Sequence, residues 1–590
     1  MPKLTKVLIA NRGEIAVRVA RACADAGIAS VAVYADDDRN ALHVRVADEA
    51  YSLGGVTAAE TYLDMHKLIS VAHRAGADAV HPGYGFLSES AGFAQAVIDA
   101  GLTWIGPPPD AIRTLGDKVS ARHVAAKVGA PLAAGTNDPV ADAAEIEAFA
   151  DAHGLPIVIK AAFGGGGRGL KVVERREDIA ELFDLAVREA TADFGRGECF
   201  VEQYLDHPRH IETQCLADSF GNVVVLSTRD CSLQRRHQKL VEEAPAPFIT
   251  KSQQDELVRA SKAILTEAGY VGAGTCEFLL TRNGTISFLE VNTRLQVEHP
   301  VSEEISGIDL VREQFRIAAG EKLGYSAVKT NGHAFEFRLC AEDPSTFVPT
   351  PGTMTTLRLP GGPGVRLDFG YETGDTMPSV FDSMIGKVIV WGTTRDEALA
   401  RARRALAEIL VVGVPTNRPF HRAVTKAADF TAADGNFGVH TRWIDTDFAE
   451  TLQSFAKDDQ PADETDPAAQ MGRVVVEVGG KRLEIAIPAN LGGLFPPRGT
   501  APVAPRPHRT HTAQATAKRG AGAVTAPMQG VVVKVAAKTG ELVAEGDVII
   551  VIEAMKMEQS IFAPNAGTVA DLTVTPGDRV TSGQTICTIK

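Results

Sequence analysis

The sequence predicts an α/β protein that ends in a small all-β domain. Three observations support this fold class. The first 115 residues alternate short apolar runs with helical apolar spacing, residues 116–445 mix helices with longer strand patterns, and residues 526–589 contain two similar halves of short strands. Strands that alternate with helices are typical of a parallel sheet with crossover helices. A duplicated run of short strands between glycine turns is typical of a barrel or sandwich.

The first 115 residues carry the clearest α/β pattern. The segments that predict strands are KVLIA, SVAVY, DAVHPG and LTWIG, at 6–10, 30–34, 78–83 and 102–106. Between the first two, residues 13–27 have apolar residues at helical spacing and end at a glycine. Another helix is predicted at 395–410, near the end of the mixed region.

Composition describes an acidic globular protein and argues against several function classes. At about 150 residues per domain, the 590 residues predict about four units. A net charge of −14 argues against bulk binding to nucleic acid or to an anionic membrane. The apolar runs are far shorter than the ~18 residues of a membrane helix, and the start lacks a signal-peptide pattern. Seven cysteines without a CxxC pair fit a reducing compartment, so we expect a cytoplasmic protein.

A glycine-rich stretch in the second region predicts a phosphate-binding loop. A strand that carries Lys160 runs into Gly164–Gly167, and another strand follows. Successive glycines let backbone N–H groups approach phosphate oxygens closely. The spacing is not that of a Walker loop, and it is not that of a dinucleotide fingerprint, which a helix would follow. A flexible surface loop would have the same composition, so the glycines alone leave both interpretations open.

Two apolar strands further along the chain each carry a carboxylate. Glu277 lies in CEFLL at 276–280, and Glu290 lies in the strand pattern of 286–300. Asn292 is expected beside Glu290, because residues two apart share one face of a strand. Carboxylate and amide oxygens are ligands that Mg²⁺ prefers, together with phosphate oxygens. The alternative is a pair of strand acids in ordinary salt bridges.

The last segment contains an internal duplication. Residues 526–552 align without gaps to residues 563–589 at an offset of 37, and nine of the 27 positions are identical. The joint at 553–562 is expected to be a hairpin, and it holds Lys556 between two methionines. Adaptable methionine side chains suit a surface that another protein recognises. An ordinary solvated lysine is the alternative.

The composition changes between the α/β part and the duplicated part. Residues 456–470 are polar and acidic, residues 473–488 have a hairpin pattern, and residues 494–522 are rich in Pro, Ala and Thr. We interpret 446–522 as a linker with a small β-hairpin. As a coil, its last 29 residues would span roughly 30 Å, which would let a tethered domain reach more than one site.

Two parts of the chain resemble known families. The segment EAMKM, within the whole repeat at 523–590, resembles the modified-lysine site of biotinyl carrier domains, which share their fold with lipoyl domains. Residues 1–445 resemble biotin carboxylase, an ATP-grasp enzyme. The motifs are IANRGEIAVR, HPGYGFLSE, GDK, CSLQRRHQKLVEEAP, EVNTRLQVEHPVSE and AEDP. Phe163 departs from the pattern, since many members have glycine there. The architecture resembles the α chains of bacterial acetyl-CoA and propionyl-CoA carboxylases.

The resemblance implies a fold for each part of the chain. It implies a Rossmann-like (pre-ATP-grasp) N-terminal domain at 1–115, an ATP-grasp domain at 116–330 with a mobile lid at about 132–204, an α+β biotin carboxylase C-terminal domain at 331–445, the linker at 446–522, and a flattened biotinyl/lipoyl-like β-barrel at 523–590.

The resemblance also implies roles for individual residues. ATP would be bound by Lys118, Lys160, Gly164, Gly165, Gly166, Gly167, Glu202, His210, Gln234, His237 and Lys239. Mg²⁺ or Mn²⁺ would be bound by Glu277, Glu290 and Asn292, and bicarbonate by Lys239, Arg294, Gln296 and the backbone N–H of Val297. Biotin would be attached to Lys556 through an amide.

The implied chemistry is the carboxylation of biotin. Glu298 would be the general base that deprotonates bicarbonate, Arg338 would stabilise the biotin enolate, and Arg294 and Lys239 complete the catalytic set. The strand pattern predicts that Arg294, Gln296 and Glu298 share one strand face. Bicarbonate is a poor electrophile, so ATP would convert it to carboxyphosphate while cations and the metal offset the phosphoryl charge.

The implied partners and the alternatives follow from the same resemblance. No part of the sequence looks like a carboxyltransferase, so we expect a separate β subunit, besides a transient biotin protein ligase and homo- and hetero-oligomers. Three alternatives stay open: the same half-reaction in a methylcrotonyl-CoA, pyruvate or urea carboxylase; an ATP-grasp ligase that joins a carboxylate to an amine; and a non-catalytic carrier or assembly subunit.

Overall fold

The computed structural model describes residues 4–136, 138–162, 170–194, 196–236, 238–457, 471–478, 481–488, 523–526, 530–554, 557–580 and 584–590. They belong to two compact units, Met1–Phe455 and Ala456–Lys590, each of which is described by itself. The predicted roles of Gly164–Gly167, His237 and Lys556 fall outside the described residues. Within these ranges, no helix has both the length and the apolar character needed to span a membrane.

The first unit begins with a parallel α/β layer. Its elements are β1 (Lys6–Ile9), α1 (Gly13–Ala26), β2 (Ala29–Tyr34), α2 (Leu42–Val46), β3 (Glu49–Ser52), α3 (Met65–Ala75), β4 (Ala79–His81), α4 (Ala91–Asp99), β5 (Thr103–Trp104) and α5 (Pro109–Gly116). The strands pair in parallel in the order β3-β2-β1-β4-β5. All four strands predicted here are present. The edge strand β3 was not predicted, because its sequence EAYS has no apolar run.

A small lobe with its own core follows. It follows α6 (Lys118–Lys127), whose buried Ala121 and Ala125 belong to the core of a larger sheet. The lobe contains α7 (Ala143–His153), β6 (Ile157–Ala161), β7 (Leu170–Val173), α8 (Ile179–Phe194) and β8 (Cys199–Gln203). The strands form an antiparallel sheet in the order β7-β6-β8. Residues of α7, α8 and this sheet, such as Ile146, Ile159 and Val201, make a hydrophobic cluster that is separate from the cores of the larger sheets. The lobe therefore buries its apolar residues within itself.

The remaining elements of the first unit include an eight-stranded antiparallel sheet. The elements are β9 (Arg209–Ala217), β10 (Val223–Arg235), β11 (Gln238–Ala244), α9 (Lys251–Glu267), β12 (Gly272–Leu280), β13 (Ile286–Asn292), α10 (His299–Ser306), α11 (Leu310–Ala318), β14 (His333–Cys340), β15 (Thr356–Arg358), β16 (Val365–Phe369), β17 (Met384–Gly392), α12 (Arg395–Glu408), β18 (Leu410–Val412), α13 (Arg418–Val424), α14 (Ala428–Thr431) and α15 (Ala449–Lys457). The order is β13-β12-β9-β10-β11-β14-β17-β16. Val241 on β11 lies opposite Phe337 on β14, so the sheet continues across residue 330.

The strand predicted over 286–300 ends earlier than its pattern suggests. Strand β13 stops at Asn292, residues 293–298 form a loop, and α10 begins at His299. The prediction that Arg294, Gln296 and Glu298 share a strand face is therefore wrong. Proline at position 300 explains the change, because its fixed φ suits the first turn of a helix and it has no N–H for a sheet.

The second unit contains a hairpin and a duplicated β fold. Strands β19 (Met471–Val478) and β20 (Lys481–Pro488) pair antiparallel. They are followed by β21 (Ala523–Thr525), β22 (Gly530–Val535), β23 (Leu542–Val543), β24 (Val548–Ala554), β25 (Met557–Phe562), β26 (Gly567–Ala570), β27 (Arg579–Val580) and β28 (Thr585–Ile589). Two four-stranded sheets result, β21-β28-β26-β23 and β25-β24-β22-β27.

The two sheets have the same plan, as the duplication predicts. The 37-residue offset relates β22 to β26, β23 to β27 and β24 to β28, and it converts the order of one sheet into that of the other. The matched residues Ile549 and Ile586 are both fully buried in the shared core. Strands β24 and β25 pair as far as Ala554 opposite Met557, so two residues, one of them Lys556, separate the strands.

This symmetry predicts matched effects on stability. Replacing either Ile549 or Ile586 by Ala should destabilise the duplicated fold by about 2–5 kcal/mol, because each leaves a cavity in the core. Hydrogen exchange of the amides at 530–554 and 567–570 in the full-length chain measures the local free energy of opening. Leu542→Ala is the control, since that side chain is 80% exposed and its loss should change little. A large effect at only one of the two isoleucines would contradict a shared core.

Candidate active site

One cavity of about 860 Å³ gathers the predicted site residues. It lies among the large sheet, the loop 293–298 and the small lobe, which all belong to the first unit. Its walls include every predicted residue of the first unit that the structure describes: Lys118, Lys160, Glu202, His210, Gln234, Lys239, Glu277, Glu290, Asn292, Arg294, Gln296, Val297, Glu298 and Arg338. Residues far apart in the sequence thus meet around one space.

The register of the large sheet places a row of charges along one side of this space. Glu290 on β13 lies opposite Glu277 on β12, Glu277 opposite Glu212 on β9, and Glu212 opposite Arg229 on β10. Directly opposite residues of neighbouring strands share one face. Three carboxylates therefore stand side by side, an arrangement that costs free energy unless cations compensate it.

Lys239 supplies the largest part of this compensation. Its Nζ donates short hydrogen bonds to Glu212 (2.6 Å), Glu277 (2.8 Å) and Glu298 (2.7 Å), and a longer one to Oε1 of Gln296 (3.3 Å). Burial lowers the pKa of Lys239, but the three carboxylates outweigh burial and raise it well above its usual value. The side chain therefore stays charged.

Glu298 lies between two cations. One oxygen accepts from Lys239, and the other accepts from Arg338 at 2.9 Å. Burial alone would raise the pKa of Glu298, but Lys239 and Arg338 hold it well below its usual range, so the carboxylate is ionised. Arg338 also donates to Glu242 at 2.6 Å, and burial raises the pKa of Glu242 to about 7 despite that contact.

The predicted metal ligands lie at the other end of the charged row. Oε1 of Glu277 accepts from Asn292 at 2.7 Å and from Gln296 at 3.1 Å, whereas Glu290 accepts no hydrogen bond from any residue that the structure describes. Burial, and then the charge of Glu277, raise the pKa of Glu290. A divalent cation beside the two carboxylates would compensate both the burial of Glu290 and the repulsion from Glu277, and would thereby lower the pKa of Glu290. The oxygen donors therefore fit Mg²⁺.

His210 closes this end of the site with a defined tautomer. Its Nδ1 lies 3.2 Å from Nε2 of Gln234, which can only donate, so Nδ1 is the acceptor. The ring proton is then on Nε2, which lies 2.9 Å from Oε2 of Glu277. Burial lowers the pKa of His210, but Glu277 outweighs burial and raises it.

The lobe, together with α6 and strands β12 and β13, contributes a second ionic cluster and an apolar surface. Glu202 on β8 accepts from Arg122 at 2.5 Å and also from Lys160 on β6. Beside them the cavity is lined by apolar side chains, which suits a flat aromatic ligand. These residues are Leu132, Val158, Leu170, Phe200, Leu279 and Phe288.

The loop 293–298 combines held side chains with a free backbone donor. Arg294 has Nε 3.2 Å from the Glu89 carboxylate, and it donates to Asn292 Oδ1 at 3.1 Å. The carbonyl of Val297 accepts from Lys387 Nζ at 2.9 Å, whereas the Val297 N–H has no hydrogen-bond partner among the described residues. A guanidinium and a free N–H together offer donors to a small planar anion.

Several residues of the site were missed by the sequence analysis. They are Glu89, Arg122, Glu212, Arg229, Glu242 and Lys387. Glu212 and Glu242 lie in apolar strand patterns, and a buried carboxylate needs a cation, so their position in the sequence was the available signal. Lys387 carried the same signal, because it lies in the apolar strand pattern MIGKVIVWG. Arg229 had no such signal, because its neighbours in the sequence are polar.

Models of known families match most of the chain, outside residues 447–521. Residues 3–112 match "Biotin carboxylase, N-terminal domain", residues 117–326 match "Carbamoyl-phosphate synthase L chain, ATP binding domain", residues 336–446 match "Biotin carboxylase C-terminal domain", and residues 522–589 match "Biotin-requiring enzyme".

Curated relatives and solved structures agree with these matches. A biotin carboxylase of Haemophilus influenzae is 48% identical over 73% of this chain and 97% of its own. A biotin carboxylase structure from Campylobacter jejuni covers 75% of this chain and 99% of its own, at 39% identity and a TM-score of 0.73. The biotin carboxylase domain of Hydrogenobacter thermophilus 2-oxoglutarate carboxylase, solved with MgADP and bicarbonate, covers 77% and 99%, at 41% identity and a TM-score of 0.72.

Full-length relatives match both parts of the chain at once. The biotin-dependent acyl-coenzyme A carboxylase α3 subunit of Mycobacterium leprae is 56% identical over 100% of this chain and 99% of its own. The carboxylase matches and the biotin-requiring match lie within this one alignment. The chain therefore belongs to the family of biotin-dependent acyl-coenzyme A carboxylase α subunits.

Proposed function

We propose that the cavity carboxylates biotin carried on Lys556, using ATP, bicarbonate and Mg²⁺ or Mn²⁺, as the α subunit of an acetyl-CoA or propionyl-CoA carboxylase. The observation that carries the proposal is the position of Glu298, which lies 2.7 Å from Lys239 and 2.9 Å from Arg338 inside the cavity. A base between two cations suits a reaction in which two anions must meet. Biotin, when bound, supplies the ureido nitrogen that accepts the carboxyl group.

The charged row holds the nucleotide and the metal. Lys118 and Lys160 line the cavity and would bind phosphates as point charges, while the apolar side chains that line the cavity beside Glu202 would receive adenine. His210, Gln234 and Lys239 lie next to that space, and we propose that Gly164–Gly167 and His237 also bind the nucleotide. Glu290, with no hydrogen bond from the described residues, would be the main metal ligand, assisted by Glu277 and Asn292.

The loop 293–298 would hold bicarbonate. The guanidinium of Arg294 can bind a planar oxyanion with two parallel hydrogen bonds, and Gln296 and the free N–H of Val297 add donors. Glu298, ionised and adjacent, would take the proton of bicarbonate. Lys239 and Arg338 hold its pKa low in the free protein. An anion bound beside Lys239 and Arg338 would offset part of their positive charge. The pKa of Glu298 would then rise, so the carboxylate would be a stronger base during the reaction.

Arg338 would face biotin. Its guanidinium lies between Glu242 and Glu298 and remains charged, so it can offset the negative charge that develops on the ureido oxygen. Arg338 would thus act in the transfer of the carboxyl group to biotin, whereas Lys239 would act in the phosphoryl transfer.

The proposal also assigns domain boundaries along the chain. We propose domains at 1–115, 116–330, 331–445 and 523–590, a linker at 446–522, and a lid at about 132–204. The separate apolar core of the lobe supports a lid, because such a lobe can move as one body.

The partners belong to the proposal as well. A biotin protein ligase would attach biotin to Lys556, and a carboxyltransferase β subunit would receive the carboxyl group and select the acyl-CoA. The support is the relative named as an α3 subunit and the bicarbonate in the Hydrogenobacter structure. We expect a cytoplasmic assembly of several copies of each subunit.

Glu298→Gln tests the reaction. The variant should lose about 10²–10⁴-fold of the ATP hydrolysis that depends on bicarbonate and is stimulated by free biotin, because the general base is removed. ATP binding, measured by calorimetry, should remain. Glu408→Gln, on the exposed face of α12, is the control and should keep the native rate. Full activity in Glu298→Gln would reject the assignment, and stimulation by an amine instead of biotin would favour a carboxylate–amine ligase.

Glu290→Gln tests the metal site. The Mg²⁺ concentration that gives half-maximal activity should rise about tenfold or more, because an anionic ligand is lost. Glu321→Gln, at an exposed position, should leave this concentration unchanged. An unchanged Mg²⁺ requirement in Glu290→Gln would place the metal elsewhere.

Lys556→Arg tests the carrier. The native chain, produced with a biotin protein ligase, should show the mass of attached biotin on the peptide that contains Lys556. The arginine variant should lack it, because a guanidinium does not form the amide. Lys538→Arg, in the same domain, should remain modified. Biotin on the Lys556→Arg chain would contradict the proposal, and carboxylation of free biotin should persist in that variant.

A further inference from the structure

We propose that Lys387 is a positioning residue for bicarbonate, which acts by holding the Val297 carbonyl and so fixing the loop that carries Arg294 and Glu298. This inference rests on the proposed function, since it assumes that the loop binds bicarbonate. Lys387 does not line the cavity among the described residues, and no contact to substrate is assigned to it.

The burial of Lys387 is the first observation. Its side chain is 0% exposed, and lysine is almost never fully buried unless it is paired. It lies on β17 directly opposite Arg338 on β14, so it stands on the same sheet face as the proposed biotin contact. The side chain thus reaches the active-site loop from the same face of the sheet as Arg338.

The pairing of its ammonium is the second observation. Nζ lies 3.2 Å from the Glu14 carboxylate of α1, but its hydrogen bond among the described residues goes to the Val297 carbonyl at 2.9 Å. Burial lowers the pKa of Lys387, and Glu14, Glu336 and Asp368 outweigh burial and raise it. A charged donor therefore binds one backbone oxygen of the loop.

The consequence for the loop follows from backbone geometry. Each peptide unit is planar, so anchoring the carbonyl of Val297 restricts ψ at that residue. This angle determines the path from the Val297 N–H, a proposed bicarbonate donor, to Glu298, the proposed base. Loss of the anchor should therefore disturb bicarbonate more than ATP, whose proposed contacts lie on the strands and the lobe.

Stability alone does not explain the residue. Replacing a buried ion pair by apolar residues of similar volume is often neutral or stabilising, so a lysine is not needed to fill this space. An apolar side chain could not donate to the carbonyl of a catalytic loop.

The test compares three full-length biotinylated variants by steady-state ATP hydrolysis with free biotin. Lys387→Met removes the donor, Glu14→Gln removes the counter-charge and keeps the donor, and Glu14→Gln with Lys387→Met removes both. We expect KM for bicarbonate to rise about tenfold or more in both variants without the donor, because a hydrogen bond from a charged group is lost. KM for ATP should stay within about twofold, and Glu14→Gln should keep a near-native KM for bicarbonate.

The outcomes separate this inference from the proposed function. If Lys387→Met fails to fold because Glu14 is left unpaired, the double variant decides. A native KM for bicarbonate in a folded variant without the donor overturns the inference, and so does an equal rise of both KM values. Arg294→Ala is the reference: if it leaves KM for bicarbonate unchanged, the proposed bicarbonate site is wrong. If Arg294→Ala raises KM and Lys387→Met does not, only the role of Lys387 fails.

Discussion

The contact of one ammonium with three carboxylates governs the whole site. The sheet register forces Glu290, Glu277 and Glu212 into neighbouring positions, and without Lys239 their mutual repulsion and desolvation would oppose folding. The same ammonium binds Glu298, which belongs to a loop and not to the sheet. Lys239 therefore connects the sheet to the loop 293–298 that follows β13.

This arrangement also prepares the site for anionic ligands. The cations are already in place before a substrate arrives, so little reorganisation is needed when negative charge enters, which is the usual origin of electrostatic stabilisation in enzymes. Two of the carboxylates that neutralise them in the free protein, Glu277 and Glu298, have proposed roles as metal ligand and base. A nucleotide with its metal therefore exchanges one set of ionic contacts for another within the same group of side chains.

The sequence predicted the chemistry better than the local conformation. Short apolar strands and the 37-residue duplication have clear periods, and both are present in the structure. The segment RLQVEHP alternates like a strand, but it forms a loop and a helix start because Pro300 and the end of the sheet override its period. The partners of buried residues such as Arg229 and Lys387 could not be predicted, since pairing between distant strands is a property of the fold. Lys556 carries a strong local pattern, but its surroundings are outside the described residues.

The duplicated β fold has a further consequence. Strand β24 is joined to β25 by two residues, but the symmetry-related pair, β28 and β21, consists of the last and first strands of the eight and has no such connection. The two related places are therefore not equivalent, and only the place between β24 and β25 has a short connection, which contains Lys556. With the proposed attachment at Lys556, each chain would carry one prosthetic group.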